Sequence, residues 1–266
     1  MDRLLNRGSA KWTQYPPDVL PAWVAEMDFE LAPPIKAALH DAIERDDAGY
    51  LGTRHESLTS AFVGFAARRL GWTVDPAQVR VATDVMVGVE ELLLVLTSPG
   101  DGVIVNPPVY PPFFADVTHT GRTLVEVPLL RDGGLDIDGI ADAFAAGARA
   151  FVLSNPHNPT GRVWTRDELS AVASAAEAHD AWVLSDEIHA PLVFDGIEFT
   201  PYLSVSTRGA ALTSASKAFN LAGLKLGIIV SEHVDRLPGG MNWRAGYLGA
   251  VAAEAAFTDG ATPWAE

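Results

Sequence analysis

From Val79 onward the chain alternates short apolar runs with stretches long enough for a helix, and this alternation restricts the fold more than any other feature. The runs are VRVA (79–82), GVIVNPP (102–108), TLVEVP (123–128), AFVLSNP (150–156), AWVLSDE (181–187), AALTSAS (210–216) and LGIIVS (226–231). Helical candidates fall between several of them, at about 86–97, 111–119, 137–147 and 166–179. A strand with one wet face alternates apolar and polar residues, whereas a strand covered on both faces is apolar throughout. The pattern therefore predicts an α/β fold: three α/β/α layers around a mostly parallel seven-stranded sheet. The helix over 166–179 has its own start signal, Thr165 and Glu168 as a capping box with Trp164 and Leu169 as a hydrophobic staple.

Upstream, Ile35, Ala38, Leu39, Ala42 and Ile43 recur at helical spacing and predict an amphipathic helix. Thr53 and Glu56 announce a second as a capping box. The opening segment YPPDVLPAWVAEMDFELAPP reads as an extended arm that packs without regular structure. Two units are expected: residues 1–45 as arm and first helix, and residues 46–266 as the main ligand-binding domain.

The 19 basic and 34 acidic side chains give a net charge of −15, which argues against a nucleic-acid partner. An anionic ligand would need a locally built site, because the overall field repels it. With no cysteine in the chain, disulfides, thiolate catalysis and zinc–thiolate sites are excluded. No apolar run approaches the ~18 residues of a membrane span, and the N-terminus has no signal-peptide core. The expectation is a cytoplasmic protein with no membrane partner.

In such a sheet, ligands bind beyond the carboxyl ends of the strands. Those ends read TDVMVG, NPPVY, SNPHNPTG, SDEIH and SASK. GxGxxG, GxxxxGK[ST] and HExxH are all absent. Only four lysines occur, and two of them, Lys217 and Lys225, lie within TSASKAFNLAGLK. Lysines usually stay on hydrated surfaces. One set among small residues beside an apolar run suggests chemistry. An isolated amine, a buried carboxylate, an asparagine and an aromatic around an anion-binding turn suit pyridoxal 5'-phosphate (PLP). Its aldehyde needs a lysine, its ring nitrogen a carboxylate, its ring face an aromatic, and its phosphate amides and hydroxyls. Blander readings stand beside this one: Asn158 as a turn former, His189 as a satisfied buried histidine, Tyr110 as packing, Lys225 as a strand-edge cap. A metal at Asp186, Glu187 and His189 is not expected, since no second histidine stands at ligand spacing.

NPHNPTG (155–161), SDEIH (185–189) and SASKAFNLAGLK (214–225) resemble the fold-type I PLP enzymes of class I/II aminotransferase ancestry. With DVLPAWVAEMDF (18–29), GY (49–50) and NPPVYPPF (106–113), the resemblance narrows to the MalY/PatB-type cystathionine β-lyases. It implies the PLP-transferase large-domain fold and α,β-elimination on cystathionine or related S-substituted L-cysteines, with PLP-dependent transamination as the alternative. By the same resemblance Lys217 would bind the cofactor aldehyde and later move the Cα proton. Asp186 would pair with the ring nitrogen, Asn158 with the 3′-oxygen beside His189, and Tyr110 would stack on the ring. Val85 and Met86 amides, Ser214, Ser216 and Lys225 would hold the phosphate, Lys225 standing where many relatives carry an arginine. Tyr50 would reach the phosphate of a partner subunit, which implies a homodimer. Glu26 replaces the more usual aspartate of WVADMDF. Relatives continue into a small C-terminal domain bearing the arginine for the substrate carboxylate. An inactive PLP-binding fragment or an interaction protein is therefore a further alternative.

Overall fold

The computed structural model describes residues 4, 6–52 and 55–258. All seven apolar runs form strands: β1 Val79–Ala82, β2 Gly102–Val105, β3 Thr123–Glu126, β4 Ala148–Ser154, β5 Trp182–Asp186, β6 Gly209–Thr213 and β7 Gly227–Val230. They make one sheet in the order β1-β7-β6-β5-β4-β2-β3. The pairs β2–β3, β2–β4, β4–β5 and β5–β6 are parallel. β7 runs antiparallel to both its neighbours, so β1 and β6 again point the same way. The expected seven-stranded, mostly parallel sheet is what forms. The uniformly apolar runs have the expected cause, since every residue of β5, β6 and β7 is buried.

Helices cover both faces: α1 Ala10–Thr13, α2 Pro33–Glu44, α3 His55–Leu70, α4 Val85–Leu96, α5 Pro112–His119, α6 Ile137–Ala145, α7 Arg166–Ala178 and α8 Tyr247–Ala256. On one face α4 and α5 bury Val89, Leu92, Leu93, Phe113 and Val117 against Val105, Val152, Leu184 and Leu212. The opposite face is packed by α6 and α7 over Ile104, Phe151, Leu153 and Val183. It continues under α2, α3 and α8, where Phe62, Phe65 and Phe257 cluster over Val81, Ile228 and Val230. Successive strand residues thus feed opposite layers, as the period of two requires.

The opening arm is mostly irregular, as expected, but includes α1, a single turn too short to show helical periodicity. Lys11 from that turn is buried and donates to the Glu26 carbonyl and to Asp28 Oδ1, both at 2.8 Å, folding the arm back on itself. The Thr53–Glu56 capping box rests on Thr53, which lies outside the described residues. The Thr165–Glu168 box forms in both directions, and its staple partners Trp164 and Leu169 are fully buried. Removing one hydrogen-bonding cap of this kind costs about 1 kcal/mol, or roughly 2–4 °C in Tm for a chain of this size. Thr165→Ala is expected to lower the urea midpoint accordingly, with an unchanged m-value.

Candidate active site

Because the parallel strands end at one edge, polar residues far apart in sequence meet there. A cavity of about 120 Å³ at that edge is lined by Asp84, Val85, Met86, Tyr110, Asn158, Asp186, His189, Ser214, Ser216, Lys217 and Lys225, together with Ile188 and Ala222. Ten of the eleven residues singled out in the sequence are among these. The eleventh, Tyr50, is 78% exposed and stacks edge-on against Trp243 at 5.6 Å, away from this cavity.

One wall is built for an anion. Asp84 caps α4, its Oδ1 accepting from the Val87 amide at 2.9 Å. The amides of Val85 and Met86, first in the helix, have no carbonyl partner within it and carry the positive end of its dipole. β7 allows this turn to come close because it starts with glycine: a Cβ on Gly227 would lie 2.6 Å from the Asp84 carbonyl carbon and 2.9 Å from the Val85 nitrogen. Opposite, Ser214 Oγ donates to the Leu226 carbonyl at 2.6 Å and lies 2.7 Å from Ser216 Oγ, fixing the loop that leaves β6. Lys225 enters β7 in the left-handed conformation (φ 52°) and places its ammonium 3.0 Å from Asp84 Oδ2.

The other wall holds a carboxylate and an amine. Asp186 ends β5, buried, with the Ile188 amide donating to its Oδ1 at 3.1 Å. Burial pushes its pKa up to about 7, against the pull of that amide and of Lys217. Lys217 is half-buried after β6; desolvation lowers its pKa, while Asp186 and Glu26 work to raise it. Desolvation, reinforced by Lys217, brings His189 down to about 4, so its ring is neutral at neutral pH. Tyr110 packs edge-on against Phe113 at 5.8 Å, and burial raises its phenol. Asn158 is aligned by its amide, which donates to Ser154 Oγ at 3.0 Å.

Asp84 and the Met27–Asn220 pair escaped the sequence reading. Asp84 could have been found as an N-cap residue just before a helical pattern. Glu26 acts on Lys217 from the opening arm, which is held to the lysine loop by a reciprocal pair. The Met27 amide donates to Asn220 Oδ1 at 3.0 Å, and Asn220 Nδ2 donates to the Met27 carbonyl at 3.1 Å. Glu187 turns away from the cavity, its Oε1 accepting from Ser185 Oγ and the Tyr202 amide.

The profile described as aminotransferase class I and II matches residues 23–262. The chain belongs to this family. Within it, a provisionally named cystathionine beta-lyase of Mycobacterium leprae is 45% identical over 98% of the chain and 69% of that protein. A cystathionine beta-lyase of Corynebacterium glutamicum is 36% identical over 98% of the chain and 72% of its own length. Among solved structures, the PLP-bound C-S lyase of Staphylococcus hominis superposes with a TM-score of 0.88 at 26% identity, covering 98% of this chain and 68% of that one. The family sheet and its edge are thus those described above, and the chain spans about seven tenths of the two named lyases.

The raised Asp186 pKa sets a pH dependence. The unfolded chain releases this proton near 3.8, while the folded chain keeps it to about 7. Between these values the unfolded state binds fewer protons, so stability falls as pH rises through the window. In the cofactor-free protein, Asp186→Asn is expected to raise the unfolding free energy at pH 8 by up to about 4 kcal/mol. No gain is expected at pH 4, where Asp186 is already neutral. Urea titrations at the two pH values measure the difference.

Proposed function

We propose that this chain binds PLP and acts as a carbon–sulfur β-lyase, converting an S-substituted L-cysteine and water into a thiol, pyruvate and ammonia. The observation that carries the reading is Asp186, a buried carboxylate with no cation at ion-pair distance among the described residues, sharing one cavity with a half-buried lysine. A protonated pyridine nitrogen supplies the missing counter-charge, and a phosphate suits the open amides of Val85 and Met86. The residues present therefore fit the cofactor, and the Staphylococcus hominis relative is described as PLP-bound.

When bound, the pyridoxal group supplies an electron sink conjugated to the substrate Cα. Lys217 would hold the cofactor's aldehyde end and move the Cα proton: its lowered pKa enlarges the uncharged fraction of the amine available for both. Loss of that proton lets the Cβ–S bond break, the thiolate leaving with the bonding pair. Asp186 stays ionised against a cationic ring nitrogen. Tyr110 offers the stacking face, and neutral His189 serves Asn158's side of the ring by hydrogen bonding rather than as an acid. Ser214, Ser216 and Lys225 complete the phosphate side, with Lys225 held by Asp84 as a point charge. A homodimer belongs to the same proposal: exposed Tyr50, paired with Trp243, is available to a partner subunit's phosphate.

The chain mixed with PLP and desalted is expected to keep a visible absorbance band that Lys217→Ala lacks. The loaded chain should release pyruvate and thiol from cystathionine without added keto acid. Amino transfer that requires a keto acid, with no thiol released, would favour the transaminase reading instead.

The glycine at the start of β7 generates a second expectation. A methyl at position 227 has only backbone to push against, and it would displace the Asp84–Val85 turn. Gly227→Ala is expected to weaken PLP retention at least tenfold by equilibrium dialysis while far-UV circular dichroism stays unchanged.

A further inference from the structure

Beside the cofactor cavity lies a larger one of about 620 Å³, and the two share Asn158 and His189 as common wall. Its far side is formed by Pro159, Val163, Leu192, Val193, Phe194 and Ile197. Among the described residues, neither a lysine, an arginine, an aspartate nor a glutamate lines it. Phe194 and Ile197 are 85% and 56% exposed, large apolar side chains left facing solvent at the mouth. A patch of this kind bordering a site marks a binding surface.

We infer that this cavity seats the S-substituent of the substrate and selects bulky apolar thioethers, S-alkyl- and S-aryl-L-cysteines, over cystathionine. The inference deepens the lyase reading and rests on it. The far end of cystathionine carries an ammonium and a carboxylate, and both need partners once taken out of water. Among the described residues the wall supplies none. Its two histidines, His157 and His189, are both shifted toward the neutral form by burial. Arg162, flanked by the wall residues Gly161 and Val163, is committed elsewhere: its guanidinium donates to Glu168 Oε1 at 2.7 Å and lies over the Trp164 ring at 5.2 Å. Glu26, next to the wall residue Ala25, acts on the Lys217 ammonium. The exposed Asp195 and Glu198 on the Phe194–Ile197 loop add negative charge that repels a second carboxylate. An alkyl or aryl group needs no partner and gains by leaving water.

The test compares S-benzyl-L-cysteine, S-methyl-L-cysteine and L-cystathionine on the PLP-loaded chain, reading pyruvate release. The expected kcat/KM for S-benzyl-L-cysteine is at least tenfold above that for cystathionine. Phe194→Asp and Ile197→Asp, both at exposed positions, should lower the S-benzyl value about tenfold. They should leave S-methyl-L-cysteine, too short to reach the cavity, within twofold. Competition against S-methyl-L-cysteine turnover on the PLP-loaded chain gives the same comparison without needing turnover of the other two, and its order of affinities decides where their rates are too low to rank. Cystathionine binding as tightly as S-benzyl-L-cysteine, or S-methyl falling together with S-benzyl in the aspartate variants, overturns the cavity assignment alone. Failure of the chain to retain PLP overturns the lyase reading and this inference with it.

Discussion

A carboxylate fixed at the end of a strand buried on both faces is the constraint around which this protein is arranged. Asp186 cannot turn to water, because β4 and β6 flank its strand and helices cover both sides of the sheet. The Ile188 amide donates to it, and no cation stands at ion-pair distance among the described residues. That imbalance disfavours its own ionisation, and only a cationic guest relieves it. Much of the surrounding detail follows. Lys217 is near enough to feel the charge, His189 is kept neutral by the same dry surroundings, and the anion-binding amides stand on the opposite wall.

The direction of the strands explains how distant residues share the task. β1, β2, β4, β5 and β6 all end at one edge, and β7, running the other way, begins there. The reversal of β7 brings Lys225 and Gly227 to the site from the entering side of a strand. Gly227 then accepts the tip of α4 at a separation no other residue would allow. Two charges 141 positions apart, Lys225 and Asp84, become an ion pair at the mouth of the anion wall. Both are partly exposed, so the pair adds little stability by itself. Its effect is to hold a cation where the net charge of −15 would otherwise discourage an anion.

The sheet was legible in the sequence because strands covered on both faces leave apolar runs, as in AWVL, AALT and LGIIV. The site was legible because polar residues closing such runs must face the ligand edge. Asn158, Asp186 and Lys217 could be placed together on that ground before any coordinates. Strand direction was not legible, since LGIIVS reads alike in either orientation. Long-range pairings were equally hidden: nothing local couples Lys225 to Asp84 or Asn220 to Met27. The turn at Ala10–Thr13 is too short to leave a periodic signal. The apolar cavity is assembled from segments near 25, 156–163 and 189–197, none of which is distinctive alone. Tyr50 is exposed and lies outside the cavity, so nothing in its own surroundings explains it.

The clasp between Met27 and Asn220 joins positions 193 residues apart, and it has a consequence for the order of events during synthesis. At translation speeds of about 5–20 residues per second, the arm leaves the ribosome roughly ten to forty seconds before its partner exists. For that interval Met27 has no Asn220 to hold the arm, which carries the exposed apolar side chains Leu20, Trp23 and Phe29. The arm and the lysine loop can therefore lock to each other only once Asn220 has been made.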